Sequence, residues 1–138
     1  MLEPAQVVAG YTPHHYALNS ILETRASLAG GREFLVFGES SWSYCETTEC
    51  VARVAGAQHS HGVKADQRVA VMSLNHPSTV FILFALARLG AIMVPINPEF
   101  RADETRYVLG RAEVSGVVCS PAALGTVRAA AIVANASP

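Results

Sequence analysis

Three polar residues of this sequence, Asn75, Asn97 and Ser120, are of a type and in a place that could serve a ligand. Each stands at or just after the end of a short apolar run: RVAVMSL, AIMVPI and VSGVVCS. Amides and hydroxyls hydrogen-bond ligands, and in an open parallel sheet ligands lie beyond the carboxyl ends of the strands. The same residue types also cap helices and form turns, which is their commoner role. The sequence leaves both interpretations open.

A second group, Cys45, Cys50, His59 and His61, has the side chains that zinc prefers. These residues fall in or near one expected helix. At about 100° per residue, positions 45 and 50 diverge by about 140° and positions 59 and 61 by about 200°. The four side chains cannot converge on one ion without unfolding that helix, so we predict no metal site.

The remaining ionisable residues are dispersed along the chain. Asp66 lies in a turn, whereas Asp103 and Glu104 lie in the first turn of a helix, where negative charge suits the helix dipole. No two carboxylates are paired for acid and base chemistry. Three histidines are interpreted as surface or capping residues: His14, His15 and His76.

Glycine-rich phosphate loops are missing from the sequence. No two of the ten glycines stand two apart, which excludes GxGxxG. Lys64 follows a valine and is followed by Ala65 instead of Ser or Thr, which excludes the P-loop. The pattern GxSxG fails at Trp42 in GESSW. Phosphate-binding turns need glycines because backbone amides must approach the anion. We therefore predict no catalytic, cofactor-binding or metal-binding residue in this chain.

The composition is apolar and nearly neutral. Apolar residues make up 51% and charged residues 15%, against roughly 25% charged in an average soluble domain. Such a chain either forms a compact domain rich in Ala and Gly or leaves apolar surface for a partner, another copy or a missing carboxyl-terminal portion. The net charge of −1 and the single lysine, Lys64, provide no basic stripe, so nucleic acid is not an expected partner.

The sequence predicts a cytoplasmic protein without a membrane span. Its start, MLEPAQVVAGYTPHH, has an acid and a proline where a secretion signal would carry positive charge and an apolar run. Three cysteines without CxxC spacing favour reduced thiols. Residues 80–96 are interrupted by Arg88, whose insertion near the middle of a span costs about 2.5 to 3.5 kcal/mol, and by Gly90 and Pro95. We interpret this stretch as a buried helix followed by a buried strand.

The first sixty residues predict a helix, a hairpin and a second helix. The stretch HYALNSILETRASLA has a loose helical pattern that ends at Gly30. EFLVFG and SWSY read as the two strands of a hairpin. Ser43 and Glu46 match the S-x-x-E capping box, so a helix should start at about Tyr44 and end near Gly62.

From Arg68 onward, strands and helices alternate. The run 68–74 is expected to be a strand covered on both faces, after which Asn75 caps an all-round apolar helix at about 77–89. AIMVPI then forms a second buried strand, whose pairing is stopped by the prolines around Asn97. Asp103 caps a helix that runs through Arg111, VSGVVCS is a strand, and a last helix opens at Ser120. The predicted fold class is α/β, a mostly parallel sheet flanked by helices.

Four motifs in order resemble the amino-terminal part of the adenylate-forming enzymes, the acyl-CoA synthetase and AMP-binding superfamily. SWSYCE is similar to the family's T-Y-x-E-L, and GVKADQRVAVMSLNHP to G-V-x-x-G-D-x-V-A-x-x-x-x-N-x-P. ALARLGAIMVPINP is similar to A-x-x-x-G-A-x-x-x-P-x-N-P, and DETRYVL to E-L-x-Y-x-L. The resemblance covers Ser41 to about Pro121. The chain departs from the pattern at Ala65, usually glycine, and at Thr47 and Thr105, usually leucine.

The resemblance implies activation of a carboxylic acid by ATP to an acyl adenylate, followed by thioester formation with coenzyme A. It implies ATP, Mg and coenzyme A for the full-length family and no cofactor in this chain. The family's phosphate loop, later acidic residues and catalytic lysine lie in segments with no counterpart in the 138 residues. We expect residues 1–138 to form a single, incomplete amino-terminal subdomain, with a lead-in helix and first hairpin strand in 1–40 and the hairpin partner and βα units in 41–138.

Three hypotheses follow from the sequence. The first is an amino-terminal fragment of an ATP-dependent acid-CoA ligase that is inactive alone. The second is a non-catalytic interaction module that docks onto a separate ligase fragment. The third is an independent nucleotide-binding domain.

Overall fold

The computed structural model describes residue 3 and residues 17–134. The elements are α1 (Leu18–Ala29), β1 (Glu33–Phe37), β2 (Ser40–Ser43), α2 (Tyr44–Ser60), β3 (Arg68–Met72), α3 (Pro77–Arg88), β4 (Ile92–Ile96), α4 (Ala102–Arg111), β5 (Gly116–Cys119), a 3₁₀ turn (Pro121–Ala123) and α5 (Leu124–Ala134). The predicted alternation of strands and helices is confirmed. The predicted start of the first helix before Ala17 lies outside the described residues, as do His14 and His15.

A hairpin and two helices form the first half of the structure. β1 and β2 pair antiparallel, as predicted, and Phe34, Leu35 and Trp42 pack with buried residues of the neighbouring helices. The predicted capping box is also present. The Ser43 Oγ accepts the Glu46 amide at 3.2 Å, and the Glu46 carboxylate accepts the Ser43 amide at 2.8 Å. Two donors that would be left without partners at the start of α2 are thereby satisfied.

The second half is built on a parallel three-stranded sheet in the order β4-β3-β5. The central strand has one exposed residue, Arg68, followed by four buried ones from Val69 to Met72. A parallel strand covered on both faces has this continuous apolar character. The sequence-based α/β assignment and the doubly covered strand are both confirmed.

Helix α3 lies between two layers, as its all-round apolar sequence predicts. On one side Phe81 and Ala85 belong to a core cluster with Leu22 of α1 and Val51 of α2. On the other side Leu86 packs with residues of β3 and β4. The helix has no polar face because both of its sides are covered.

Gly90 makes the joint between α3 and β4. Its φ of +71° is in the left-handed region, and its amide donates to Ala87 O at 3.1 Å. The next amide, of Ala91, donates to Leu86 O at 2.9 Å. This pair of bonds closes the end of the helix and directs the chain into the strand. The predicted glycine stop is confirmed.

The expected burial of the second strand is wrong. In β4, Ile92 is 49% exposed and Pro95 is exposed as well. Pro95 does not end the pairing either, since it lies beside Val71 within the ladder. Among the described residues β4 is an outer strand, and proline is compatible with such a strand where its missing amide faces away from the neighbour.

The expected capping role of Asp103 is also wrong. The N-cap of α4 is Arg101, whose amide donates to the Glu104 carboxylate at 2.9 Å. Asp103 lies in the first helical turn and pairs with Arg106 at 3.1 Å. The longer Glu104 side chain reaches back to the free amide, which leaves Asp103 to its charge partner.

No helix in residues 17–134 is long and apolar enough to cross a bilayer.

Candidate functional site

A small cavity that is open to solvent lies at the carboxyl ends of β3 and β4. Its volume is about 230 Å³, and it is lined by Ser73, Leu74, Asn75, Asn97, Pro98 and Glu99. Two of the three polar residues singled out in the sequence, Asn75 and Asn97, are thus brought together. Parallel strands place their carboxyl ends on one side of a sheet, which explains why residues 22 positions apart meet here.

A larger cavity of about 690 Å³ lies beside the carboxyl ends of β3 and β5. It is lined by Phe37, Val71, Ser73, Leu74, Asn75, His76, Ser78, Ile82, Val118, Cys119, Ser120, Pro121 and Ala122. Asn75 also borders this cavity, together with Ser120. The loop after β3 borders both spaces, so Asn75 shares one lining with Asn97 and the other with Ser120.

The hydrogen bonds of these three residues show which side chains are used within a turn and which are not. Asn97 Oδ1 accepts the Glu99 amide at 3.0 Å, which is a turn role. Ser120 precedes the 3₁₀ turn, but its hydroxyl makes no capping bond. The side chain of Asn75 is exposed and does not cap α3. Of the two open interpretations, the turn role fits Asn97, while Asn75 and Ser120 retain side-chain groups available to a ligand.

His76, and not Asn75, is the N-cap of α3. Its Nδ1 accepts the Ser78 amide at 3.2 Å, and Pro77 occupies the first turn as predicted. The capping interpretation of His76 is confirmed, and the one for Asn75 is wrong by one position. The imidazole also lies against the Phe37 ring, with centroids 5.4 Å apart. The tip of the hairpin thus contacts the start of α3.

The apolar wall of the larger cavity could not be identified from residue chemistry. Phe37 of the hairpin, Leu74 of the loop and Ile82 of α3 all border it. Leu74 is 65% and Phe37 48% exposed, so these two large apolar side chains leave apolar surface beside the cavity. The only signal in the sequence is the high apolar fraction, which predicts exposed apolar surface without locating it.

The cavities contain little charge. Glu99 is the one ionisable carboxylate among their lining residues, and neither lining includes a lysine or an arginine. Across residue 3 and residues 17–134, no three His, Cys, Asp or Glu side chains are grouped so that they could hold a metal ion. The arrangement can hydrogen-bond a polar group and cover an apolar one, and His76 is the one basic side chain in the two linings.

Sequence comparison decides the family. The profile described as AMP-binding enzyme matches residues 22–137, which is most of the chain. The chain belongs to the AMP-binding enzyme family. The resemblance inferred from the four linked motifs is thereby confirmed.

Similar proteins include carnitine–CoA ligases. The crotonobetaine/carnitine–CoA ligase of Salmonella paratyphi A is 33% identical over 108 residues, which cover 75% of this chain and 21% of the relative. The ligase of the same description from Salmonella typhimurium is 32% identical over the same length. The chain therefore spans about one fifth of the curated relatives it matches.

Solved structures share the fold. A protein of Rhodopseudomonas palustris assigned as a long-chain-fatty-acid CoA ligase superposes with a TM-score of 0.80 at 26% identity, covering 87% of this chain and 30% of that one. The amino-terminal subdomain of Klebsiella oxytoca NpsA gives a TM-score of 0.73 at 22% identity, covering 76% and 28%. The AMP-binding segment described here thus has the α/β fold of part of an amino-terminal subdomain.

Proposed function

We propose that this chain acts as the amino-terminal scaffold of an ATP-dependent acid-CoA ligase, which forms an acyl adenylate and then a coenzyme A thioester. In this proposal the chain frames the strand ends and does not catalyse adenylation alone. One observation carries the proposal: Asn75 and Ser120 offer hydrogen-bonding groups at the strand ends, yet the cavities there have no lysine or arginine.

The residues present do not fit ATP with its magnesium ion. Adenylation develops charge on phosphate, which must be stabilised by cations and backbone amides. A triphosphate in the smaller cavity would face the Glu99 carboxylate instead. The described residues also offer no cluster of metal ligands. No adenylation step is therefore assigned to the side chains of this chain.

The test is ATP–pyrophosphate exchange with the pure 138-residue chain. The acids include crotonobetaine, carnitine and a long-chain fatty acid, taken from the names of the similar proteins, with short, medium and branched acids added. We expect no exchange above the protein-free blank, whereas the Salmonella ligase serves as the positive control. Reproducible exchange by the chain alone would overturn the scaffold proposal.

The competing nucleotide-binding hypothesis has a separate test. An independent nucleotide-binding domain would release or absorb heat when ATP is titrated in a calorimeter, with or without magnesium. We expect no saturable heat, because the cavity linings contain no lysine or arginine for the phosphates. A saturable isotherm at one site per chain would favour the competing hypothesis.

We expect the protein to act in the cytoplasm. All three cysteines, Cys45, Cys50 and Cys119, are free thiols in the structure, which is consistent with a reducing compartment. The measurement is the thiol titre of the chain purified from cytoplasm without added reductant, for which we expect three.

A second candidate function is an interaction module that docks onto a separate ligase fragment. It is favoured by the exposed Leu74 and Phe37 beside the larger cavity, where an apolar side chain of a partner would be covered. The partner for the test is the Salmonella ligase shortened by the segment that corresponds to this chain.

Two leucine variants make that docking test specific. Leu74→Ser changes the cavity wall, whereas Leu28→Ser changes a leucine of α1 that is 74% exposed and lines neither cavity. The docking hypothesis predicts that only Leu74→Ser weakens binding to the shortened ligase and lowers the fluorescence of an apolar dye. A well-behaved monomer that binds neither the fragment nor the dye would contradict it.

A further inference from the structure

We draw no further inference here: the strongest candidate, the apolar wall of the larger cavity beside the carboxyl ends of β3 and β5, belongs to the site already described, and nothing in the described residues shows what covers it.

Discussion

The backbone amide of Asp66 donates a hydrogen bond of 2.9 Å to the carbonyl oxygen of Gly90. The bond joins the turn before β3 to the turn after α3. Both residues have a left-handed backbone, with φ of 64° at Asp66 and 71° at Gly90. Two residues later the strands run side by side, with Arg68 next to Ile92. The register of the parallel pair is therefore set where the two turns touch.

Gly90→Ala is expected to destabilise the fold by about 1 to 2 kcal/mol, because a side chain in the left-handed region is strained. The new Cβ would also lie 3.2 Å from the Ala65 Cβ. Urea unfolding followed by circular dichroism measures the change. The matched control is Gly56→Ala inside α2, where an added Cβ meets nothing within 4 Å. That variant should gain about 0.5 to 1 kcal/mol, and equal effects at both positions would contradict the explanation.

Thr47→Val and Thr105→Val are each expected to stabilise the fold by about 1 kcal/mol. Both threonines are fully buried, and the Oγ1 of each lacks a hydrogen-bond partner, so valine removes an unsatisfied group at nearly constant volume. These are the two positions at which the family pattern usually has leucine. The comparison is Thr48→Val, whose Oγ1 donates to Tyr44 O at 2.9 Å and which should therefore gain nothing. Thermal unfolding distinguishes the three variants.

His76→Ala should cost about 1 kcal/mol of stability, because the Ser78 amide loses its acceptor and Phe37 loses its ring neighbour. Asn75→Ala, one residue earlier, should stay within about 0.5 kcal/mol of the wild type, as expected for an exposed residue that caps nothing. Both free energies come from urea titrations under identical conditions. A larger loss at Asn75 than at His76 would restore Asn75 as the cap.

The capping box at the start of α2 should weaken in acid. The hydrogen bond from the Ser43 backbone amide, followed by the bond with the Ser43 side chain, lowers the pKa of the Glu46 carboxyl below its usual 4.5. A carboxyl whose folded pKa is lowered stabilises the fold above its ordinary pKa, and this contribution is lost as pH falls through the lowered value. Glu46→Gln should therefore differ most from the wild type near neutral pH and converge with it in acid. Melting temperatures between about pH 2 and 7 measure the difference, which should not be constant.

The sequence predicts this fold well where local chemistry and tertiary packing agree. The S-x-x-E box at Ser43 and the glycine stop at Gly90 act through backbone bonds within a few residues, so both were readable from the pattern. The Val-rich run of β3 likewise reports burial on both faces. In these cases the residue type has one dominant structural use, and neighbouring elements do not alter it.

The errors occur where neighbouring residues compete for one role. At α3 the imidazole of His76 reaches the free amide in place of Asn75. At α4 the helix begins after Arg101, whose amide is accepted by Glu104, and Asp103 pairs with Arg106. The exposure of β4 depends on which strand lies beside it, which sequence periodicity does not encode. The cavity wall of Phe37 and Leu74 was missed because apolar residues carry no chemical signature of a site.

Because α3 lies between two core clusters, the two halves of the described structure are expected to unfold together. Phe81 on one side and Leu86 on the other are separated by little more than one helical turn. Unfolding of the hairpin layer would expose the apolar side chains on one side of this helix to water, and unfolding of the sheet would expose those on the other side. Neither half can therefore melt alone, and unfolding is expected to proceed in a single cooperative transition.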